Sequence, residues 1–496
     1  MRQRFEQQTS LGILPINEVK FSARALKSRD ELMPVLLALQ QLYITPELNE
    51  AVFTLLEKKV CDGKKKTGRK GMDLWHILVL AVLRHTLGTN WDRLEHIANN
   101  DVITRKILGV YIDKFGIEEQ EFCYQTIVDN VSLIDEALLI QINELVVKHG
   151  QNLLKKKDDE ALLLKTDSFV LKTDVHFPTD LNLLWDSTRK CIDMVEKLRE
   201  GFPVNGMRKI KYIRKEFKSL FRSTSQQVFK GRNEEKKKQA VNAYLDKALE
   251  LHGRFEAIIN TSFGDDIKTM ALIIALQGYN TYLKKFIDQI DRRLLKGEII
   301  PASEKVYSIF EEHTEWISKG KLGHQVELGH LALITTDQYH FIVDYKVMEK
   351  EKDAPQVDSL IERIKIKFPG TAIYSHSFDK GFYSKDNFAV LEKSGTEHVV
   401  MPKRGKLNKA EKEREHTKEF KALRNQHSAV ESNINMLGHH GMDCCQDEGI
   451  ANYKRYLGLS VLAYNLHILG NHLMAAERKK ADAKPASKQR PLKQAA

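Results

Sequence analysis

Leu162-Leu163-Leu164-Lys165-Thr166-Asp167-Ser168-Phe169-Val170-Leu171-Lys172-Thr173-Asp174 reads as a β-strand with an acidic residue at its centre. Apolar and β-branched residues run through it, and neither Gly nor Pro interrupts it before Pro178. Strand interiors disfavour Asp, and a buried carboxylate is costly unless its charge is compensated. A bound cation would compensate it. Asp167 and Asp174 are separated by an odd number of residues, so in one regular strand they face opposite sides. Only one of them can serve a given site. Taken alone, the pair is equally compatible with a solvent-facing edge strand.

Two later acids bear on that choice. Ala372 to Phe378 forms a second short strand pattern, with Asp379 at its carboxyl end before Lys380-Gly381-Phe382. In open α/β sheets, ligands bind at the carboxyl ends of strands. Glu431 sits in Ser428 to Leu437, a helical pattern. An Asp in a strand, an Asp at a strand end and a Glu on a helix suit hard divalent cations. Paired cations activate an oxygen nucleophile and stabilise the leaving oxygen of a phosphodiester.

The chain has 496 residues, enough for two to four domains. Lys and Arg number 78 against 67 Asp and Glu, a formal charge of +11 that favours a polyanionic partner. An odd count of five cysteines, with no secretory signal pattern, points to a reducing compartment. No apolar run has the length of a membrane span. The expected setting is the cytoplasm, with no membrane partner.

Before the strand the pattern is helical. Ser28 and Glu31 suggest a capping box ahead of Leu32, Leu36, Leu39 and Tyr43. Thr45-Pro46 opens another helix. Asp62 to Gly71 is a basic, glycine-punctuated loop, either a solvated linker or a phosphate contact through Arg69 and Lys70. Trp91 to Ala98 and Val102 to Leu108 are two short helices across a polar turn, compatible with a helix-turn-helix that carries Arg105 and Lys106. A long helix is expected from Tyr124 to His149, ended by Gly150, with a domain boundary near residue 155.

After the strand, helices fill the chain to about residue 300. Among them, Arg208, Lys209, Lys211, Arg214, Lys215, Lys218 and Arg222 surround an apolar stripe, as a phosphate contact or a solvated face. The sheet resumes as a hairpin, Val326 to Ile334 and Tyr339 to Val347, followed by the Asp379 strand and a strand ending at Pro402. Lys403, Arg404 and Lys406 begin a basic loop leading to the Glu431 helix, which also carries Arg424. The expected class is α/β. An all-α N-terminal DNA-binding domain over 1–155 precedes a mixed-sheet domain over 156–475, which helices over 181–305 interrupt. A basic tail over 476–496 is too poor in apolar residues to pack. His439-His440 and Cys444-Cys445 lack zinc-site spacing and read as a surface turn. Trp185 and Trp316 suit core packing or stacking on an unpaired base.

Several of these motifs, taken in order, resemble bacterial insertion-sequence transposases of the DDE type, with an RNase H-like core and closest likeness to the ISNCY-type group. They are Thr166-Asp167-Ser168-Phe169-Val170 leading to His176-Phe177-Pro178-Thr179-Asp180, Glu315-Trp316-Ile317 with Lys319-Gly320-Lys321, Phe378 to Phe382, and Val430 to Ile434. Gly68 to Met72 and the Trp91 helix add an N-terminal likeness, so the resemblance covers most of residues 65–470. It implies Asp167, Asp379 and Glu431 as catalytic and metal-holding residues, with two Mg²⁺ ions for which Mn²⁺ would substitute. It further implies double-stranded DNA, as transposon ends and target, and a homodimer in a nucleoid-associated complex. Many relatives carry Tyr and Arg seven and four positions before the Glu and Lys seven after it, where this chain has Arg424, His427 and Gly438. Two other readings keep the same residues: a catalytically silent DNA-binding protein derived from a transposase, and a metal-dependent DNA nuclease.

Overall fold

The quoted stretch folds as β1 (Leu162–Thr173), the inner strand of a seven-stranded mixed sheet. The structure is a computed structural model that describes residues 2–5, 16–22, 24–63, 71–110, 120–155, 157, 159–261, 263, 266–318 and 326–483. Leu162, Leu164, Lys165 and Thr166 are buried, as expected of a strand covered on both faces. The other strands are β2 (Glu315–Ser318), β3 (Val326–Thr336), β4 (Ile342–Met348), β5 (Ile373–Phe378), β6 (His398–Val400) and β7 (Cys444–Cys445). Their order is β2-β3-β1-β5-β6, with β4 also on β3 and β7 on β1. β1 runs antiparallel to β3, pairing Asp167 with Ile334, and parallel to β5, pairing Thr166 with Phe378. The expected hairpin is present as β3 and β4, closed by Asp337, whose carboxylate accepts from the backbone N–H groups of Tyr339 and Phe341.

The helices, in chain order, are α1 (Leu32–Ile44), α2 (Pro46–Val60), α3 (Leu74–Thr86), α4 (Trp91–Asn100), α5 (Val102–Leu108), α6 (Tyr124–Val131), α7 (Glu136–Leu154), α8 (Asp180–Leu198), α9 (Ile210–Lys230), α10 (Glu234–Ile259), α11 (Ile267–Ile290), α12 (Gln356–Lys367), α13 (Lys385–Lys393), α14 (Lys409–Glu415), α15 (Lys418–Leu437) and α16 (Ile450–Ala483). The chain divides into two compact units. One comprises residues 1–172 and 329–496, and the other residues 173–328.

In the first unit, the N-terminal helices and the sheet share one apolar core, so the expected boundary near residue 155 falls inside a single body. α3 is buried along its whole length. α16 crosses α1 so closely that a Cβ on Gly470 would sit 1.9 Å from the Pro34 carbonyl oxygen. α16 also runs on to Ala483, into the segment expected to be an unpacked tail. The helix expected over 124–149 is two helices. Asp135 accepts from the Leu138 N–H and starts α7 afresh after the turn that ends α6. Gly150 does not end α7. It lies within the helix, where a Cβ would come within 2.4 Å of the Phe341 ring. No capping box opens α1: Ser28 accepts from Asp30 N–H, and Asp30 from Leu32 N–H. The second unit has its own core, built from α8, α9, α10 and α11.

Candidate functional site

Sheet register explains how two distant acids meet. Because Thr166 pairs with Phe378 in parallel, the next residue along each strand is Asp167 and Asp379. Asp167, midway along β1, therefore stands level with the carboxyl end of β5, where Asp379 follows. Asp174 lies exposed beyond the end of β1. α15 supplies the third acid. His427 Nδ1 and Ser377 Oγ share a 3.0 Å hydrogen bond that fastens the helix to β5. Glu431 follows one helical turn later on the same face.

The charges are felt at Asp167. Its carboxyl is half-buried, and burial pushes its pKa up to about 6, with further elevation from Asp379, Asp353 and Glu431. The Ser168 N–H, 2.8 Å from Oδ1, works in the opposite direction. Asp379 and Glu431 are exposed. Asp353, in the loop between β4 and α12, does not stand out in the sequence. Burial raises its pKa too, while the Ser168 hydroxyl and Arg404 oppose the rise. Its Oδ1 is buried and makes no hydrogen bond. A Cβ on Gly381 would lie 3.2 Å from Asp353 Oδ2 and 3.6 Å from an Arg404 nitrogen, so the turn after Asp379 passes close to both. Nothing in Asp353-Ala354-Pro355 distinguishes it from an ordinary acidic loop; only the fold carries it to the site.

Beneath the acids lies a polar layer. Thr166 Oγ1 is 2.8 Å from both Thr335 Oγ1 and His376 Nε2, linking β3, β1 and β5 at one level. Burial lowers the pKa of His376 to about 3 and that of His427 to about 4, so both imidazoles are neutral at pH 7. The donor set is one that hard divalent cations take. Among the described residues, no three His, Cys, Asp or Glu side chains are drawn together closely enough to hold a metal.

The basic residues divide. Arg404, Lys406 and Arg424 are exposed, and Arg424 shares the helix face of His427 and Glu431. Lys403 is committed to Glu411, with its Nζ 2.8 and 2.9 Å from the two carboxylate oxygens. Lys106 is half-buried. Arg105 does not reach the surface: it is 4% exposed and donates to the Ala98 and Gln120 carbonyls, which makes it a brace between α4 and the following segment. Arg69 and Lys70, like Lys319-Gly320-Lys321, lie outside the described residues.

His440 is fully buried rather than on a surface turn, and its Nε2 is 2.9 Å from His467 Nδ1. Trp185 packs over Phe217 and Phe221 in the second unit. Trp316 stands between Phe177 and Tyr307 on the wall of a cavity of about 440 Å³. No family model, curated protein or solved structure matches the chain.

Proposed function

We propose that the chain is a DNA transposase of the DDE type, with an RNase H-like core and Asp167, Asp379 and Glu431 as its catalytic carboxylates. One observation carries the reading. The β1/β5 register sets Asp167 level with Asp379, α15 brings Glu431 to the same side, and both acids add to the rise that burial causes at Asp167. Like charges that face one another raise each other's pKa, and divalent cations would relieve that repulsion.

Asp167, Asp379 and Glu431 would hold two Mg²⁺ ions, with Mn²⁺ as a substitute, by closing in from the wider spacing they have in this structure. When bound, such ions activate a hydroxyl for attack at phosphorus and stabilise the departing oxygen. The protein's own contribution is position. The Thr335-Thr166-His376 layer fixes the height of β1 against β5, and His427 fixes α15. Neutral His427 adds no positive charge to compete with a cation. Exposed Arg404, Lys406 and Arg424 would face the phosphates of double-stranded DNA. Joining two transposon ends to a target calls for two copies of the site, hence a homodimer.

The test mixes purified protein with a labelled DNA carrying its element's terminal inverted repeat, a plasmid target, and Mg²⁺ or Mn²⁺. Joined product that disappears in Asp167→Asn, Asp379→Asn and Glu431→Gln supports the reading. Nicking without joining would replace it with a nuclease. Tight binding with no cleavage in either metal would replace it with a DNA-binding protein of transposase descent.

A further inference from the structure

We infer that the outer face of α9, in the second unit, is a docking surface for the phosphate backbone of a nucleic-acid duplex, indifferent to base sequence. α9 turns Ile210, Ile213, Phe217 and Thr224 inward. Its opposite face carries Lys211, Lys215, Lys218 and Arg222, all exposed, at steps of four, three and four residues. That spacing makes one stripe along a helix. Arg208 and Lys209, also exposed, extend it just before the helix begins.

What separates this stripe from scattered surface charge is that its cations follow one another along a single helix face without acidic partners. Other cations without such an acid, exposed Lys236, Lys238, Lys268 and Lys284 among them, are spread over α10 and α11, and several more are neutralised. Arg189, Arg214, Lys247, Arg254, Arg292 and Arg293 each lie within ion-pair distance of an acid. Among the described residues, none of the six cations from Arg208 to Arg222 on the outer face has such an acid. The only acid within α9, Glu216, is taken by Lys247 at 3.1 Å. Lys218 leans over the Trp185 ring with its ammonium 5.9 Å from the centroid, which leaves its charge available.

The dimensions suit a duplex strand. With a rise of about 1.5 Å per residue, Lys211 to Arg222 spans roughly 16 Å, the advance of about five phosphates along one strand. At the start of α9 the stripe opens on a concavity of about 430 Å³ lined by Arg208, Lys209 and Tyr212, by the paired Glu216 and Lys247, and by Arg254. The Tyr212 ring, 63% exposed there, offers a flat surface to a sugar. Lysines on a continuous helix supply point charges without the paired donors that read base edges, hence the indifference to sequence.

The inference deepens the transposase reading by naming a second DNA-binding surface, and it is read by binding alone. Full-length protein is titrated, without divalent metal, against a labelled duplex of arbitrary sequence over a range of salt. The test variant is Lys211→Gln, Lys215→Gln, Lys218→Gln and Arg222→Gln together. The control changes the same charge elsewhere on the unit, at exposed Lys236, Lys238, Lys268 and Lys284. Gln is nearly as good a helix former as Lys and Arg, so both variants should melt like the parent. The stripe variant should lower the slope of log affinity against log salt by about three to four, roughly one for each phosphate that no longer meets a cation. The control should leave the slope near that of the parent. An unchanged slope in the stripe variant, or an equal drop in the control, overturns the inference. So does stripe-dependent capture by phosphatidylserine vesicles with duplex binding unchanged. The slope can change in a protein that never joins DNA, and joining can persist with the slope unchanged, so the two readings fail separately.

Discussion

Asp167 is held at a cost. Its half-buried carboxylate, with its pKa raised to about 6, opposes folding at neutral pH. Asp167→Asn should abolish strand transfer and yet raise stability at pH 7 by about 1 kcal/mol, allowing for partial solvent screening. The gain should shrink as the pH falls from about 6 toward 4, where the wild-type carboxyl takes up its proton in the folded state. Urea denaturation of both proteins across that range checks this. A variant less stable than wild type at pH 7 would mean that the carboxylate is a structural partner rather than a strained one. Asp447 behaves in the opposite way. It lies between Arg84 at 2.7 Å and Arg455 at 2.9 Å, and both guanidiniums are buried. Asp447→Asn should cost about 3–5 kcal/mol, since it strands two buried cations; the same denaturation measures it. Among the candidate site residues, Asp167 within a strand and Asp379 at a strand end stand out in the sequence because each breaks or ends a pattern, whereas Glu431 sits in an ordinary amphipathic helix and is singled out by the resemblance. Asp353 breaks none. Arg105 looks like a surface cation because a seven-residue helix shows too little periodicity to reveal its buried side.

Most elements are visible in the sequence, and the departures come from glycine and from caps. Gly150 looks like a stop, but its role is to let the Phe341 ring lie against α7. Asp135 looks like one more residue of a long helix, whereas its side chain divides α6 from α7. The close crossing of α1 and α16 gives an element-scale test. Gly470→Ala would drive a methyl group into the Pro34 carbonyl, and backbone cannot move aside as a side chain can. It should destabilise by about 1–3 kcal/mol or more through overpacking, read as a drop in melting temperature. Gly278→Ala, where a Cβ would meet nothing within 4 Å, should leave the melting temperature unchanged or raise it. Equal effects at the two positions would show that α1 and α16 do not pack as described.

Across the whole molecule, several histidines are buried without charge. Burial lowers His376 and His440 to about 3 and His427 to about 4, and His85 falls well below its usual value for the same reason. An unfolded chain protonates these near pH 6.5, so the stability they allow is complete above that value and is lost as the pH falls below it. Asp167 and Asp337, both raised to about 6, act with the opposite sign in the overlapping window. His149, His467 and His472 are lowered by burial too, and Asp353 and Glu136 are raised by it, so seven imidazoles against four carboxyls should leave the balance acid-labile. The urea midpoint should drop between about pH 7.5 and about pH 5; a rising midpoint would mean that the carboxyls dominate. The division into two units is only partly legible in the sequence. The helical run after β1 marks the insertion, but a core shared between the first 155 residues and the sheet rests on packing between positions hundreds of residues apart. No local pattern encodes such packing. The order of the strands also has a consequence for biosynthesis. β1 leaves the ribosome before the whole second unit, while β3 and β5, which cover its two edges, leave afterwards. At typical elongation rates the nascent strand waits on the order of ten seconds with both edges unpaired. Lys165, Asp167 and Lys172 place charge along an otherwise adhesive segment during that interval. The same aspartate that burdens the finished protein thus helps keep its unfinished chain from sticking to another.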